Sequence, residues 1–338
     1  MLEAIQYKTF DREHYDEGVW GGLRRVALNS NRQVVGIHHP DNTDLWEDGT
    51  EVDWAKYESN GWNCMVQIPK FYYRIQNGEY EGFDNVYRAE VYPMQVGGSK
   101  LHPAFERDDG IIENYQYFSA FEGWVDGQGK LRSLPDKTPT TSKTRAAIRN
   151  HAENNGHYFT QQDFYLTAAI QLLFITEYGS FNSQNVLGQG RATGSSSFIK
   201  TGLTRQYGNK SYGSLTSNTE PMSYRGIENF YGNYRKWMDG LNVQNRQVYV
   251  AKKNFVDDIF DNQYKYVADV PTASNDYITD FHRLENEFDF TFIPSNVTGG
   301  SATSYLGDGL WTSTGNRVAR YGGQSDIVTG KQIGRAHV

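Results

Sequence analysis

The chain has 338 residues, of which 14% are aromatic, 34 are glycine and only 9 are proline. This aromatic content can form a buried core, which excludes a fully disordered chain, and the scarcity of proline excludes a collagen. The net charge of −7 argues against a general nucleic-acid binder, which needs a basic face to displace phosphate counterions. Since Cys64 is the single cysteine, an intramolecular disulfide and every zinc site with two cysteine ligands are also excluded.

The sequence predicts neither a membrane-spanning segment nor a signal peptide. The longest apolar stretch, 168–175, is far too short to span a bilayer. The first ten residues include Glu3, Gln6 and Lys8 and have no apolar core, so no signal peptide is predicted. We therefore expect no membrane insertion and no export by a cleaved signal in this sequence.

Residues 1–60 are polar and form a first region, predicted to be an irregular or β N-terminal segment with short strand-like runs such as 34–37. The stretch 38–44 contains His38, His39 and two aspartates, but its turn-forming residues predict a solvated loop. It also lacks the glycine and glutamate positions of a calcium-binding loop. We interpret it as a loop without a metal.

Strand patterns follow this region. Residues 64–69 and 71–75 are rich in β-branched and aromatic residues and predict two strands separated by a proline, and 88–96 predicts another. The run 125–131 contains Asp126-Gly127, which predicts the turn of a β-hairpin.

Two helices are predicted next. The first covers 144–155 and ends at an Asn-Gly pair. The second follows Thr160-Gln161-Gln162-Asp163, which resembles a capping box, and continues from Phe164 until Glu177 and Gly179 end it. This second helix is apolar on nearly all sides, so we expect it to be the buried central helix. Residues 180–220 then turn to Gly, Ser, Asn and Thr and predict a long coil.

The block 232–240, Gly-Asn-Tyr-Arg-Lys-Trp-Met-Asp-Gly, resembles the Gly-Asn-Val-Trp-Glu-Trp element of C-type-lectin-like domains of the formylglycine-generating-enzyme (sulfatase-modifying factor) type. The rest of the chain looks like a phage tail-associated version of that fold, over roughly residues 62–326. It departs from the family at Tyr234, where valine is usual, at Arg235-Lys236, which replaces an apolar–acidic pair, and at 322–325, where a tryptophan is absent. The other stretches that carry the resemblance are 65–73, 101–105, 166–190, 224–229 and 320–323.

This resemblance implies an α+β, C-type-lectin-like fold with small twisted antiparallel sheets, two main helices and long loops. The domain would cover 61–331 with long loop insertions. Such a fold needs glycine for tight turns, polar side chains for loop backbone and aromatics beneath the loops. Asn233 is expected to bond loop backbone and Trp237 to pack in the core. The structural residues implied are Gly232, Asn233, Trp237 and Asp239.

In this family the C-terminal segment presents a surface, hypervariable in some members, that binds the partner. The matching stretch is 310–323, which interleaves residue types that anchor interfaces at low entropic cost. An ordinary half-buried strand is the alternative interpretation of the same pattern. The candidate ligand-binding residues are Trp311, Thr314, Asn316, Arg317, Arg320, Tyr321 and Gln324.

The resemblance therefore predicts a non-enzymatic recognition module, a phage tail-tip or tail-fibre protein that is assembled in the host cytoplasm, resides in the virion and contacts a host surface protein or glycan. Other tail proteins are expected partners, and a homotrimer is common among tail proteins of this kind. The alternatives are a cellular, retroelement-diversified lectin-like protein and a divergent enzyme of the family.

Catalysis is not indicated by the residues. The family's copper site needs paired cysteines, the three-histidine iron site has no matching spacing here, and no Gly-x-Ser-x-Gly motif occurs. Calcium is the one cofactor left open, but no acidic cluster with a clear spacing indicates it, so we expect no cofactor. Nucleic acid is not an expected partner.

The final residues, 332–338, have a different character. Ile-Gly-Arg-Ala-His-Val is the translation of the start of a common sequencing adapter, so we interpret 332–338 as a non-native tail, with an ordinary tail as the alternative. Arg335 and His337 are accordingly given no functional role.

Overall fold

The structure, a computed structural model, describes residues 15–80, 82–106, 110–192, 198–257, 263–301, 309–322, 332–333 and 336–337. It is an α+β fold, as predicted, and nearly all of its described strand pairs are antiparallel. None of the helices in these ranges is both long and apolar enough to cross a bilayer. The helices are α1 (Gly18–Gly21), α2 (Trp54–Asn60), α3 (Arg145–Glu153), α4 (Phe164–Tyr178) and α5 (Ser183–Val186), with 3-10 turns at Pro103–Phe105 and Arg205–Tyr207.

The strands are short and numerous. In the first half of the chain they are β1 (Arg24–Leu28), β2 (Val34–His39), β3 (Asn42–Trp46), β4 (Asn63–Pro69), β5 (Tyr72–Tyr80), β6 (Phe83–Tyr92), β7 (Lys100–Leu101), β8 (Tyr115–Ser119), β9 (Trp124–Val125), β10 (Leu131–Arg132) and β11 (Thr160–Gln161). In the second half they are β12 (Ser223–Tyr224), β13 (Ile227–Glu228), β14 (Arg235–Gln244), β15 (Gln247–Val250), β16 (Lys265–Asp269), β17 (Ser274–Tyr277), β18 (Asp280–Phe281), β19 (Pro294–Asn296), β20 (Gly309–Trp311), β21 (Asn316–Tyr321), β22 (Gln332–Ile333) and β23 (Ala336–His337).

The largest sheet has the strand order β11-β23-β8-β4-β1-β2-β3 and is buried on both faces at its centre. Neighbouring residues of β4 enter different hydrophobic clusters, Cys64 the larger one with α4 and Met65 a smaller one with Ile148 of α3. Because successive side chains of a strand point to opposite faces, a strand with both faces buried is a continuous apolar run. This explains why 64–69 was recognisable in the sequence.

Strands from before residue 60 belong to this same sheet. β1 pairs with β4 along its whole length, with Ala27 opposite Cys64, and β2 and β3 extend the sheet beyond β1. The prediction of a loop at 38–44 is wrong. His38 and His39 end β2, and β3 begins at Asn42, so only a two-residue turn separates the strands.

Helix α4 is the buried central helix, as predicted, with twelve of its fifteen residues buried. Its N-cap differs from the expected capping box. The Asp163 side chain accepts a hydrogen bond from the Leu166 amide at 2.9 Å, whereas Thr160 lies in β11. Gly179 ends the helix in the left-handed conformation, φ 59°. Helix α3 and the β9–β10 hairpin also form where they were predicted.

A second sheet, β16-β15-β14-β21, is connected to helix α3 by buried charged side chains. Arg145 of α3 donates hydrogen bonds to the carbonyl oxygens of Met238 and Leu241 at 3.0 and 3.2 Å. Arg149, one turn later, binds Asp239 of β14 with two nitrogens, at 2.8 and 2.5 Å. Because these groups are largely excluded from water, their geometry fixes how β14 sits against α3.

A histidine lies within the core beside β3. His38 is 1% exposed, and its Nδ1 donates to the Thr43 carbonyl oxygen at 2.7 Å while its Nε2 accepts from the Tyr57 hydroxyl at 2.5 Å. Burial lowers the pKa of His38 to about 3. Cys64, whose Sγ is 3.7 Å from Nε2, is also buried, and burial raises its pKa to about 12. Both groups are therefore neutral near pH 7.

The neutral state of His38 makes stability depend on pH. The unfolded chain binds a proton at this imidazole below pH 6.5, whereas the folded chain does so only near pH 3. The contribution to stability is therefore present above pH 6.5 and is lost as the pH falls towards 3, by at most about 1.4 kcal/mol per pH unit. Urea unfolding at pH 7, 6, 5 and 4 should show a shallower loss for His38→Gln than for the wild type.

His39→Gln, which removes a histidine from the same strand, is the matched control and should keep the wild-type pH dependence. Parallel curves for His38→Gln and the wild type would contradict the assignment of this pH dependence to the buried imidazole.

Candidate functional site

The block 232–240 supports the predicted surface, and its first residue must be glycine. Gly232 has φ +80°, and a Cβ there would lie 1.6 Å from the Gly190 carbonyl oxygen. Asn233 follows with φ 56°, a conformation that asparagine tolerates better than most residues. Its Oδ1 accepts a hydrogen bond from the Ile199 amide at 3.2 Å, so this side chain does bond loop backbone.

A buried carboxylate lies beneath this block. Glu122 is 0% exposed and accepts hydrogen bonds from the Nδ2 atoms of Asn229, at 3.1 Å, and Asn233, at 2.5 Å. Lys236, also 0% exposed, places its Nζ 3.1 Å from the other carboxylate oxygen. The same ammonium donates to the carbonyl oxygens of Gly232 at 2.5 Å and Gly322 at 3.2 Å. Lys236 therefore ties the start of the block to the end of β21.

No pattern in the sequence predicted this ion pair. Lys236 was a signal, because the element that the block 232–240 resembles has an apolar–acidic pair there, but nothing in the sequence indicated Glu122 as its partner. Trp237 also differs from expectation, since it is only half-buried. One side packs against the smaller cluster, and its Nε1 donates to the Lys143 carbonyl oxygen at 3.0 Å.

Asp239 is the fourth structural residue, and it is fully buried against α3. Burial raises the pKa of this carboxyl, an effect that the two hydrogen bonds from Arg149 oppose. Its backbone amide donates to the Gln162 carbonyl oxygen at 3.0 Å, which fixes β14 beside the start of α4. The side chain thus serves the packing of β14.

The predicted surface is built on a turn that connects two sheets. β20 pairs with β17, and β21 pairs with β14. Between them, Thr312 Oγ1 donates to the Pro271 carbonyl oxygen at 2.8 Å and accepts from the Ala273 amide at 2.9 Å. Gly315 and Asn245 exchange two further hydrogen bonds, at 2.9 and 3.1 Å. Both ends of the turn are therefore held by the neighbouring backbone.

Four of the predicted ligand-binding side chains are exposed around this turn. Trp311, at the end of β20, is 57% exposed. Thr314, Asn316 and Arg317 are also exposed. The Arg317 guanidinium donates to Ser313 Oγ at 3.0 Å and to the Asn316 carbonyl oxygen at 2.9 Å, which holds it beside the turn. An exposed indole near a cation and polar groups offers both apolar and hydrogen-bonding contacts.

The remaining predicted residues differ. Tyr321 is half-buried, and its ring packs on Phe230 with centroids 5.8 Å apart, so much of it belongs to the core. The backbone of Arg320 pairs with Trp237, and its side chain lies outside the described part of the structure, as does all of Gln324.

Within the described ranges, no three His, Cys, Asp or Glu side chains form a group that could hold a metal ion. No protein-family model matches this chain, and a search of curated proteins found no match either.

The buried ion pair predicts a large cost when one partner is removed. Lys236→Met leaves the Glu122 carboxylate without its cation inside the protein and should lower the free energy of unfolding by about 3–5 kcal/mol. Lys236→Met/Glu122→Gln should lose less than the single variant, because the buried negative charge is removed as well. Urea unfolding of both variants measures this difference. A Lys236→Met protein as stable as the wild type would contradict the structural role of the ion pair.

Proposed function

We propose that this chain is a non-enzymatic recognition module, a tail-tip or tail-fibre protein of a phage virion, with a C-type-lectin-like domain that binds a host surface protein or glycan. The tail assignment rests on the sequence resemblance of the block 232–240 and the stretches around it. The binding role is supported by one observation above all, the 57% exposure of Trp311 at the end of a short paired strand.

An exposed tryptophan is an unusual feature to hold in a fixed position. Exposed apolar area is unfavourable in water, and a large aromatic on a rigid backbone loses little entropy when it binds. Here the backbone on both sides is fixed, by β17 before the turn and by Asn245 within it. Trp311 is thus suited to be the central anchor of an interface, with Asn316 and Arg317 as polar contacts.

The environment of the indole favours a partner with mixed chemistry. Ser274 lies opposite Trp311 across the β17–β20 pair, and the exposed carboxylate of Asp276 lies opposite Leu310. Arg317 supplies a cation with five donors in a fixed plane. A glycan, or a polar protein surface with an apolar knob, matches this combination of an aromatic face, donors and acceptors.

The test is binding to a glycan array and to a panel of intact bacterial cells. Trp311→Ala/Arg317→Ala should weaken binding about thirtyfold or more, as expected when a central aromatic anchor of about 2 kcal/mol is lost. Tyr321 is left intact because its ring packs on Phe230. Circular dichroism and thermal unfolding verify that the variant is folded.

Tyr158→Ala/Lys200→Ala is the matched control, since it removes one exposed aromatic and one exposed cation elsewhere. It should bind like the wild type. If Trp311→Ala/Arg317→Ala also binds like the wild type, recognition does not use this turn. If the wild type binds no glycan and no cell, the receptor-binding proposal is wrong and a purely structural tail component is the better assignment.

A further inference from the structure

A second surface, which shares no residue with the turn that carries Trp311, lies between the β2–β3 hairpin and the start of α2. It is a groove with a volume of about 510 Å³. Two indoles, Trp46 and Trp62, line it together with the carboxylates of four residues and the single cation of Lys56. The groove therefore combines aromatic faces with an excess of negative charge. The four acidic residues are Glu47, Asp48, Glu51 and Asp53.

The aromatic lining is held rigidly from beneath. The Trp46 indole stacks on His38, with centroids 5.0 Å apart and planes 25° apart. Gly36 lets the indole lie directly on the strand, since a Cβ at that position would be 2.4 Å from Trp46 Cζ3. Trp62 meets Tyr57 edge to face at 5.8 Å. Neither indole would need to be ordered when a ligand arrives, which keeps the entropic cost of binding low.

The four carboxylates of the groove differ in whether they already accept hydrogen bonds from the protein. Asp48 Oδ1 accepts from the Thr50 amide at 2.9 Å and its hydroxyl at 2.7 Å, and these hydrogen bonds lower the pKa of Asp48. Asp53 caps α2 through Oδ1. Glu47 and Glu51 are exposed, and within the described part of the chain neither forms an ion pair. Two carboxylates are thus available to an incoming cation.

We propose that this groove binds the lysine or arginine side chains of a basic peptide segment on a partner protein. A cation placed over an indole face is attracted by the ring quadrupole, and carboxylates at the rim complete its coordination by charge-assisted hydrogen bonds. A neutral sugar would use the indoles but gains nothing from the net negative charge. The charge of the lining therefore selects a cationic occupant over a glycan. This site is independent of the turn that carries Trp311.

The probe is pentalysine with blocked ends, titrated at low ionic strength, with pentaglutamate and the neutral sugar cellopentaose alongside. Of the three probes, the groove should bind pentalysine alone, and more weakly as salt is added. Glu47→Gln/Glu51→Gln should weaken binding about fivefold, the effect of losing two partly exposed ion pairs. Trp62→Leu should also weaken it, because one aromatic face is lost.

Glu153→Gln/Glu285→Gln is the matched control, since it removes two exposed carboxylates outside the groove and gives the same net charge. It should change the affinity less than twofold. An equal loss in this control would assign the binding to overall charge and overturn the proposal. So would the absence of pentalysine binding, cellopentaose binding that Trp62→Leu abolishes, or a pentalysine affinity that survives both groove variants.

Discussion

The buried carboxylate of Glu122 is the constraint on which the loop-rich half of the molecule depends. It gathers Asn229, Asn233 and Lys236, three side chains from one short stretch of chain. A carboxylate excluded from water is strongly unfavourable unless its oxygens are fully compensated. The stretch can therefore adopt only a conformation that delivers these three groups to one point. Lys236 carries the constraint further, because it also binds the carbonyl oxygen of Gly322 just after β21.

Buried charged side chains also bind the backbone of the coil between α5 and β12. The carboxylate of Glu228, which is 0% exposed, accepts hydrogen bonds from the backbone amides of Gly202 and Thr204, both at 2.7 Å. Arg25 of β1, also buried, donates to the carbonyl oxygen of Thr204 at 3.4 Å and to its hydroxyl oxygen at 3.1 Å. Loops have few internal backbone hydrogen bonds, so their buried amides and carbonyls need partners from elsewhere. Buried charged side chains supply them here, which lets irregular backbone lie within the protein.

Elements whose determinants are local were predictable from the sequence. The unbroken apolar run of α4, the Asp126-Gly127 turn and the doubly buried β4 each have a pattern of a few adjacent residues. The pairing of Lys236 with Glu122 depends on residues more than a hundred positions apart, which no local pattern encodes. The prediction that His38 lies in a solvated loop was wrong for a related reason. Its neighbours are turn-forming residues, but Tyr57 and Thr43 supply the hydrogen bonds that allow its burial.

The residues of the predicted surface also divide into those whose exposure has a local cause and those whose burial depends on distant contacts. The interleaved pattern of 310–323 includes Trp311, Asn316 and Arg317, which are exposed at the ends of the strands beside the turn. The pattern did not separate them from Tyr321, whose ring is drawn onto Phe230 by the continuation of β21 along β14. Exposure on this strand thus changes with position: Asn316 and Arg317 near the turn are exposed, and Tyr321 at the far end is half-buried against Phe230. The proposed interaction surface therefore consists of the turn, and the strand beyond it holds that turn in place.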